Sequence, residues 1–420
     1  MFSSLVGPVR VNGRVYTDAD IFELEFEKIW SKVWIYVGHA SEVPAVGDYV
    51  RRKVGRQEVI LTRGEDDILR VLKNRCIHRA NLVCQAPCGN AKVFRCPYHG
   101  WTYGNDGHLV GVTYRRGTGG YSSEALEALS GLEPAERVDS YRGLVFASLA
   151  PEGPTLKEFL SGTVAAIDRF MDLAPEGTVR LSAGSHKMNV QANWKLFSEN
   201  QVDRYHATFV HQVTYSLDKG KADWAAKLNS EGPAFVRCFE GGHSELDFSP
   251  VNLASGHSQY SAGSVARSEQ DFPDLVSALE ARLGVEYAKK LLVGGPPHLL
   301  VFPNLAFVMQ DIRFILPVSV NESTVYQFPA FLDGASDAVN NERLRRHQLA
   351  EGPAGAVMTD DHEVLERNQR GYSGEGDFSA ILERGFGQDR SDDEGYSVGS
   401  LLSESPLRNF WNAYVTLMDS

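Results

Sequence analysis

Two short runs of Cys and His carry the most specific chemistry in this 420-residue chain. The first is Cys76-Ile77-His78-Arg79. Seventeen positions separate His78 from the second, Cys96-Pro97-Tyr98-His99-Gly100-Trp101. Each arm brings one thiolate and one imidazole, as Cys-x-His and Cys-x-x-His. Thiolates suit ferric iron and sulfide-bridged clusters, and two imidazoles can replace two thiolates on one iron. That exchange makes the cluster less negative and raises its potential, which suits electrons on their way to oxygen. The mixed arms put both Cys on one iron and both His on the other, while Pro97 and Gly100 are residues a tight metal loop needs. A structural zinc site is the competing reading, but zinc motifs usually pair like with like. Cys84 and Cys88 are further thiols of the same loop, expected to pack inertly, and Cys238 stands alone as a small buried apolar residue.

A second constellation runs from Asn193-Trp194-Lys195 through Glu199, Asn200 and Asp203 to His206, with His211 beyond. Two neutral imidazoles and one carboxylate, with open positions opposite, suit non-heme Fe(II) that binds oxygen beside a substrate. Asp203 and His206 are three apart, so a helix would put them on one face. His206 and His211 are about 140° apart around an ideal helix, so the helix must end or distort between them. The carboxylate must come from elsewhere. Asp360 and Asp361 are candidates at the start of a helical pattern within GPAGAVMTDDHEVLERNQRG, residues 352–371. Acids in a first helical turn are also favoured by the helix dipole alone, so the residues by themselves leave that role open.

The elements around these motifs read as helix, strands, then helices and strands again. Residues 17–34 have an amphipathic helical pattern with Thr17 and Asp20 as a capping-box signature. Short strand patterns follow: 48–54, 57–63, 68–74 and 143–149. The sequence predicts an α+β protein with three parts. Residues 1–37 are an N-terminal helical piece of the catalytic domain, 38–153 an inserted all-β domain, and 154–420 the rest of an α+β catalytic domain on an antiparallel sheet. Within the last part, 155–173 and 274–292 are helical, and 298–304, 306–318 and 323–332 are strands. Two helices are expected near 336–350 and 355–370. Residues 212–272 read as long loops over a pocket and 372–400 as an acidic surface loop. Ser405 and Pro406 read as the N-cap and first residue of a closing helix.

The bulk properties narrow the function classes. A net charge of −12 argues against nucleic acid or an anionic membrane as partner. No run reaches the ~18 apolar residues of a membrane span. The start, MFSSLVGPVRVNGRVY, lacks the basic and apolar regions of a secretion signal. Four of five cysteines crowd into positions 76–96, which fits metal chemistry in a reducing compartment, so the cytoplasm is expected.

Taken together, CIHRANLVCQAPCGNAKVFRCPYHGWTYGNDG (76–107), NWKLFSENQVDRYHATFVH (193–211) and the later GPAG…DD…Q segment resemble the α subunits of Rieske non-heme iron ring-hydroxylating oxygenases. Length and layout are most similar to the benzoate- and terephthalate-dioxygenase-like branch. The resemblance implies a Rieske [2Fe–2S] cluster on Cys76, His78, Cys96 and His99, and a helix-grip (START-like) catalytic domain. It implies a mononuclear Fe(II) on His206, His211 and Asp361, with Asp360 as the fallback. Asp203 would bridge His206 to His99 of the partner subunit, and Asn200 would stand near the iron. A ring-shaped homotrimer is implied, with or without a small β subunit. A reductase, directly or through a ferredoxin, would deliver electrons from NAD(P)H. With O₂ the product would be a cis-dihydrodiol of an aromatic ring, an aromatic acid being the leading substrate. Monooxygenation or demethylation is the alternative, and pure electron transfer a further one. Ala80 departs from the pattern, where Gly often follows the His-Arg pair. Val202, Ala207, Val210, Phe307 and Val357 are candidate pocket walls from their places beside the ligands, and Arg313 is a candidate partner for a substrate carboxylate.

Overall fold

The structure, a computed structural model, describes residues 2–117, 119–216, 235–255 and 270–420. It divides into two compact units: Trp30–Leu156, and a second assembled from Met1–Ile29 and Lys157–Ser420.

The first unit is built of three small antiparallel sheets. One has four strands in the order Leu69–Lys73, Gln57–Arg63, Asp48–Val54, Cys88–Asn90. A three-stranded sheet contains Val93–Arg95, Thr102–Gly104 and Leu109–Gly111. The third joins Arg137–Tyr141, Leu144–Ser148 and Ile35–His39. All five residues of Ile35–His39 are buried, and they pair with 144–147. That pairing moves the unit's start from the expected residue 38 to Trp30, and its end falls at Leu156 rather than 153. The core of this unit contains Ile60, Leu72, Val83, Phe94, Trp101, Tyr103 and both Cys76 and Cys96.

The second unit rests on a nine-stranded antiparallel sheet. Its order is His186–Val190, Glu322–Pro329, Asp311–Ser319, Leu305–Val308, His298–Val301, Ser244–Asp247, Phe235–Cys238, Ser397–Ser400, Arg390–Ser391. Residues 306–318, expected as one strand, make a hairpin that turns at Met309, where φ is 55°. The described parts of 212–272 are not loops: two of the sheet's inner strands come from them. Three short strands, Ser379–Ile381, Arg390–Ser391 and Ser397–Ser400, interrupt the surface loop expected over 372–400. The stretches 217–234 and 256–269 of the expected pocket-covering loops lie outside the described residues.

Capping explains several helix starts. Asp18, not Thr17, caps Ala19–Glu25, its carboxylate accepting from the backbone N–H of Asp20 and Ile21. That helix gives way to a π-helical turn at Phe26–Trp30 instead of running to residue 34. Asn193 caps Trp194–Asn200, and Ser336 caps Asp337–Glu351. The closing helix runs Ser405–Asp419, so Ser405 and Pro406 are its first two residues and Glu404 takes the cap position. Gly284, at φ 81°, splits the expected 274–292 helix into Pro273–Leu283 and Val285–Gly294.

A buried polar lattice fixes the Trp194–Asn200 helix. Glu25 accepts from Trp194 Nε1 at 2.7 Å, from Tyr414 Oη at 2.7 Å and from Lys195 Nζ, and both charges are fully buried. Removing one partner of such a pair costs about 3–5 kcal/mol, because the other charge is left in a low dielectric. Gln369 then ties Met358–Tyr372 to the same helix: its Oε1 accepts from Asn193 N at 2.9 Å, and its Nε2 donates to Tyr16 O at 3.1 Å.

Candidate metal centres and cavity

In the first unit the two Cys/His arms are the same small turn used twice. Ala80 N donates to Cys76 O at 2.8 Å, and Gly100 N to Cys96 O at 2.9 Å. Cys76 N donates to Asn81 O and Cys96 N to Trp101 O, each one residue further on. Both turns place their fifth residue in the left-handed region, φ 56° at Ala80 and 72° at Gly100. Asn74 pins the first turn: its side chain accepts from Val83 N and Cys84 N and donates to Cys84 O. The second turn closes the hairpin between Val93–Arg95 and Thr102–Gly104.

The turns bring Cys76 and Cys96 together, both buried, with no disulfide between them. The rings of His78 and His99 lie 4.6 Å apart between centroids. Burial, and then the neighbouring Cys76, pushes the Cys96 thiol up. Two groups not singled out from sequence complete the surroundings. Tyr103 Oη is 3.0 Å from Cys76 Sγ and accepts from Ile77 N at 3.2 Å, and Trp101 stacks on His78 at 4.7 Å. A fully buried Tyr needs a hydrogen-bond partner, and that was the available signal for Tyr103. Two thiols and two imidazoles facing each other fit a Rieske cluster in donor type. Cys84 packs in the core as expected, whereas Cys88 is exposed on its strand. Cys238 is buried, its thiol pushed up to about 12 by burial.

In the second unit, His206 Nε2 and His211 Nε2 lie 3.4 and 3.3 Å from one oxygen of Asp361. One ligand atom from each of the three residues can be chosen so that all fall within 4.8 Å of one another. The Trp194–Asn200 helix ends before Asp203, and a single helical turn, Ala207–Val210, separates His206 from His211. That break brings the two imidazoles to one point. Asp203 approaches His206 from the irregular segment between the two helices rather than along a helical face, its Oδ2 3.3 Å from Nδ1. Asn200 Nδ2 lies 3.3 Å from His206 Nε2 and 3.4 Å from Asp361 Oδ1. Asp360 is half-exposed, and its nearest approach is 3.9 Å to His211 Nδ1.

Burial opposes charge on Asp361 and His206, but their mutual contacts win. Asp203 and then Asp361 push His206 up to about 9, and His206 and His211 hold the Asp361 carboxyl well below its usual range. Two imidazole nitrogens converging on one carboxylate oxygen fit a cation, and this two-nitrogen, one-carboxylate chemistry fits Fe(II).

A cavity of about 520 Å³, its open mouth included, adjoins these residues. Leu246, Phe248, Val308, Met309 and Val357 supply apolar wall, with Ala207 near the ligands. Of the candidates from sequence, Ala207, Arg313 and Val357 line it. Val202 and Phe307 are core instead, Phe307 packing edge-on to Phe170 at 4.9 Å, and Val210 is not part of the wall. Arg313 is not a free cation awaiting a carboxylate. Its Nη2 is 2.6 Å from Glu351 Oε2, and its Nη1 donates to Gln201 Oε1 at 3.1 Å. His298 and Glu351, which the sequence reading passed over, also line the cavity.

Two family models match the chain: the Rieske [2Fe-2S] domain over residues 33–122, and the ring hydroxylating alpha subunit (catalytic domain) over 179–420. The anthranilate 1,2-dioxygenase large subunit of Acinetobacter baylyi is 30% identical over 391 residues, covering 91% of this chain and 81% of that protein. The N,N-dimethyl phenylurea N-demethylase subunit alpha of a Sphingobium species is 29% identical, covering 97% and 91%. Naphthalene 1,2-dioxygenase with indole bound superposes with a TM-score of 0.84 at 25% identity, covering 99% of this chain and 94% of that one.

The chain therefore belongs to the α subunits of Rieske ring-hydroxylating oxygenases. It is an oxidoreductase that carries a Rieske [2Fe–2S] cluster and a mononuclear iron, hydroxylates aromatic rings, and works with a reductase or ferredoxin.

Proposed function

We propose that Cys76, His78, Cys96 and His99 hold the cluster and that His206, His211 and Asp361 hold the catalytic iron. The observation that carries the second assignment is the approach of both Nε2 atoms to one Asp361 oxygen. The bound cofactors supply single electrons and activation of O₂. The residues do the rest. Asp203 orients His206 by holding its Nδ1, which leaves Nε2 for the metal. Asn200 presents an amide N–H beside the ligand atoms, where it can hold a water or oxygen. The apolar wall receives the ring and keeps bulk water from it.

The reaction is cis-dihydroxylation of an aromatic ring, and anthranilate 1,2-dioxygenase and the toluate 1,2-dioxygenase of Pseudomonas putida support an aromatic acid as substrate. That choice rests on these relatives and not on Arg313, whose charge Glu351 meets. N-demethylation is the second reading, favoured by the phenylurea demethylase relative. The active assembly is a ring-shaped homotrimer, with or without a small β subunit, in which Asp203 links His206 to His99 of the partner subunit. The protein works in the cytoplasm: no helix among the described residues is long and apolar enough to cross a membrane, and its cysteines are unpaired.

The test is turnover of aromatic acids by anaerobically purified protein given reductase, NAD(P)H and O₂, with products read by mass spectrometry. The His206→Ala variant should keep a reducible cluster and lose oxygenated product. Undiminished product from that variant would sink the assignment.

A further inference from the structure

The cavity contains a polar group that neither the metal ligands nor the fold uses fully. Glu351 ends the Asp337–Glu351 helix and lines the cavity, yet its side chain is wholly buried. Arg313 holds its Oε2 at 2.6 Å. Two nitrogens of the guanidinium donate elsewhere. Nη1 donates to Gln201 Oε1 at 3.1 Å, and Nε donates at 3.2 Å to the Gln327 side-chain oxygen once that amide is turned to satisfy both of its ends. An ionised carboxylate offers about four acceptor sites. Neither Glu351 oxygen has a hydrogen-bond partner among the described residues, so the approach of Oε2 to Arg313 Nη2 is an ion pair and not a hydrogen bond. The surplus at this wall is thus acceptor capacity, two carboxyl oxygens set against the one Arg313 nitrogen that faces them. His298, also on the wall, is kept neutral near pH 7 by burial and then by Arg313, so it adds no positive charge there.

Resting on the oxygenase reading above, we infer that the substrate carries a hydrogen-bond donor on its ring, an aryl N–H or O–H, and that Glu351 receives it. Arg313 is the positioning residue: it stands against the carboxyl group and its charge opposes burial, which together with Asp311 and Asp361 pushes Glu351 up to about 7. An apolar substituent of equal size leaves the carboxylate oxygen desolvated and unpaired, and a site built around a buried polar group discriminates against such analogues. Leu246, Phe248 and Met309 then serve the ring face and not the substituent.

The experiment compares matched pairs on the reconstituted holoenzyme: 2-aminobenzoate against 2-methylbenzoate, and aniline against toluene, with phenol as the O–H arm. Both kcat/KM and calorimetric Kd are measured. The amino member of each pair should be favoured by at least about tenfold, the size of a hydrogen bond to a charged group. Phenol ranking with aniline assigns the site to any donor, and phenol ranking with toluene assigns it to N–H. Glu351→Gln keeps an acceptor for Arg313 but can turn an amide N–H toward the cavity, so it should abolish or reverse the preference. Amino and methyl members equal within about twofold in the unaltered enzyme, or a preference that survives Glu351→Gln, overturns the inference. The first comparison needs no variant to fold. Absence of oxygenation for every compound would overturn the oxygenase reading instead, and the two Kd series would still decide the role of Glu351.

Discussion

Asp203 stands behind the imidazole of His206, its Oδ2 3.3 Å from Nδ1, while Asp361 approaches the Nε2 of the same ring at 3.4 Å. A carboxylate stands at each ring nitrogen, and only the Asp361 side faces the other candidate ligands. Outer partners of this kind typically contribute 10–100-fold to metal affinity or activity. Asp203→Ala should therefore weaken Fe(II) binding at this site by about that factor, with the cluster's EPR signal unchanged. Iron titration of the chelated protein measures it, and an unaltered affinity would remove Asp203 from this role.

The two neighbouring acids should behave differently. Asp361→Asn should reduce iron from about three to about two per chain, the two-site composition less one. Asp360→Asn should leave it near three, because that side chain is 44% exposed and stands off from the imidazoles. Iron and acid-labile sulfide measured on the same samples give the answer, and reversed outcomes would exchange the assignments.

Tyr103 bears on the cluster's potential. Its hydroxyl lies 3.0 Å from Cys76 Sγ. A hydrogen bond to a ligating sulfur favours the reduced, more negative cluster. Tyr103→Phe should lower the midpoint potential by on the order of 30 mV, since tenfold in a one-electron equilibrium is about 59 mV. Protein-film voltammetry reads this directly, and a potential within a few millivolts of the parent's would show that the contact does not reach the iron.

Ala80 carries strain that its counterpart Gly100 does not. At φ 56° an alanine is disfavoured by about 1–2 kcal/mol relative to glycine, partly offset by glycine's freer unfolded chain. Ala80→Gly should stabilise the Trp30–Leu156 unit by about 0.5–1 kcal/mol. Gly100→Ala should destabilise it, because a Cβ there would sit 2.9 Å from Thr113 Cγ2. Denaturant midpoints of the holoprotein test both signs.

Glu199 gives a pH signature. Burial pushes it up to about 7, against hydrogen bonds from Trp411 and Tyr16 and the charge of Lys195. Its unfolded value is near 4.3, so between these pH values the folded state binds the extra proton. The contribution to stability is then greatest below about pH 4 and declines as pH rises through 7, by on the order of 3 kcal/mol. Glu199→Gln should remove this decline, so the stability difference between variant and parent should grow in the variant's favour from pH 5 to 8. A constant difference would mean that Glu199 does not titrate there.

The chemistry was more legible in the sequence than the sheet that carries it. Cys-x-His and Cys-x-x-His are local patterns, and the structure brings those four residues together without help from distant segments. Asp361 could be chosen over Asp360 only by resemblance, because the choice depends on which side of a helix faces residues 150 positions earlier. The inner strands Phe235–Cys238 and Ser244–Asp247 were missed for a different reason. They carry Arg237, Glu245 and Asp247 in buried or half-buried places, with Glu245 neutralised by Arg169 and Arg237. Charges paired across a sheet erase the apolar alternation by which a strand is recognised. Arg313 misled in the same way: its partner Glu351 lies on another element, so a satisfied cation looked available.

The repeated turn around Cys76 and Cys96 has a consequence for how such chains vary. Each turn closes through its own backbone, and Asn74 secures the first from the strand side. The interval between the arms is mostly exposed from Gln85 to Lys92. Descendants of this sequence can therefore gain or lose residues near Gln85–Pro87 while inheriting both grips intact, whereas one residue inserted inside either five-residue turn would displace a donor. Length polymorphism should gather in the connection and be purged from the turns.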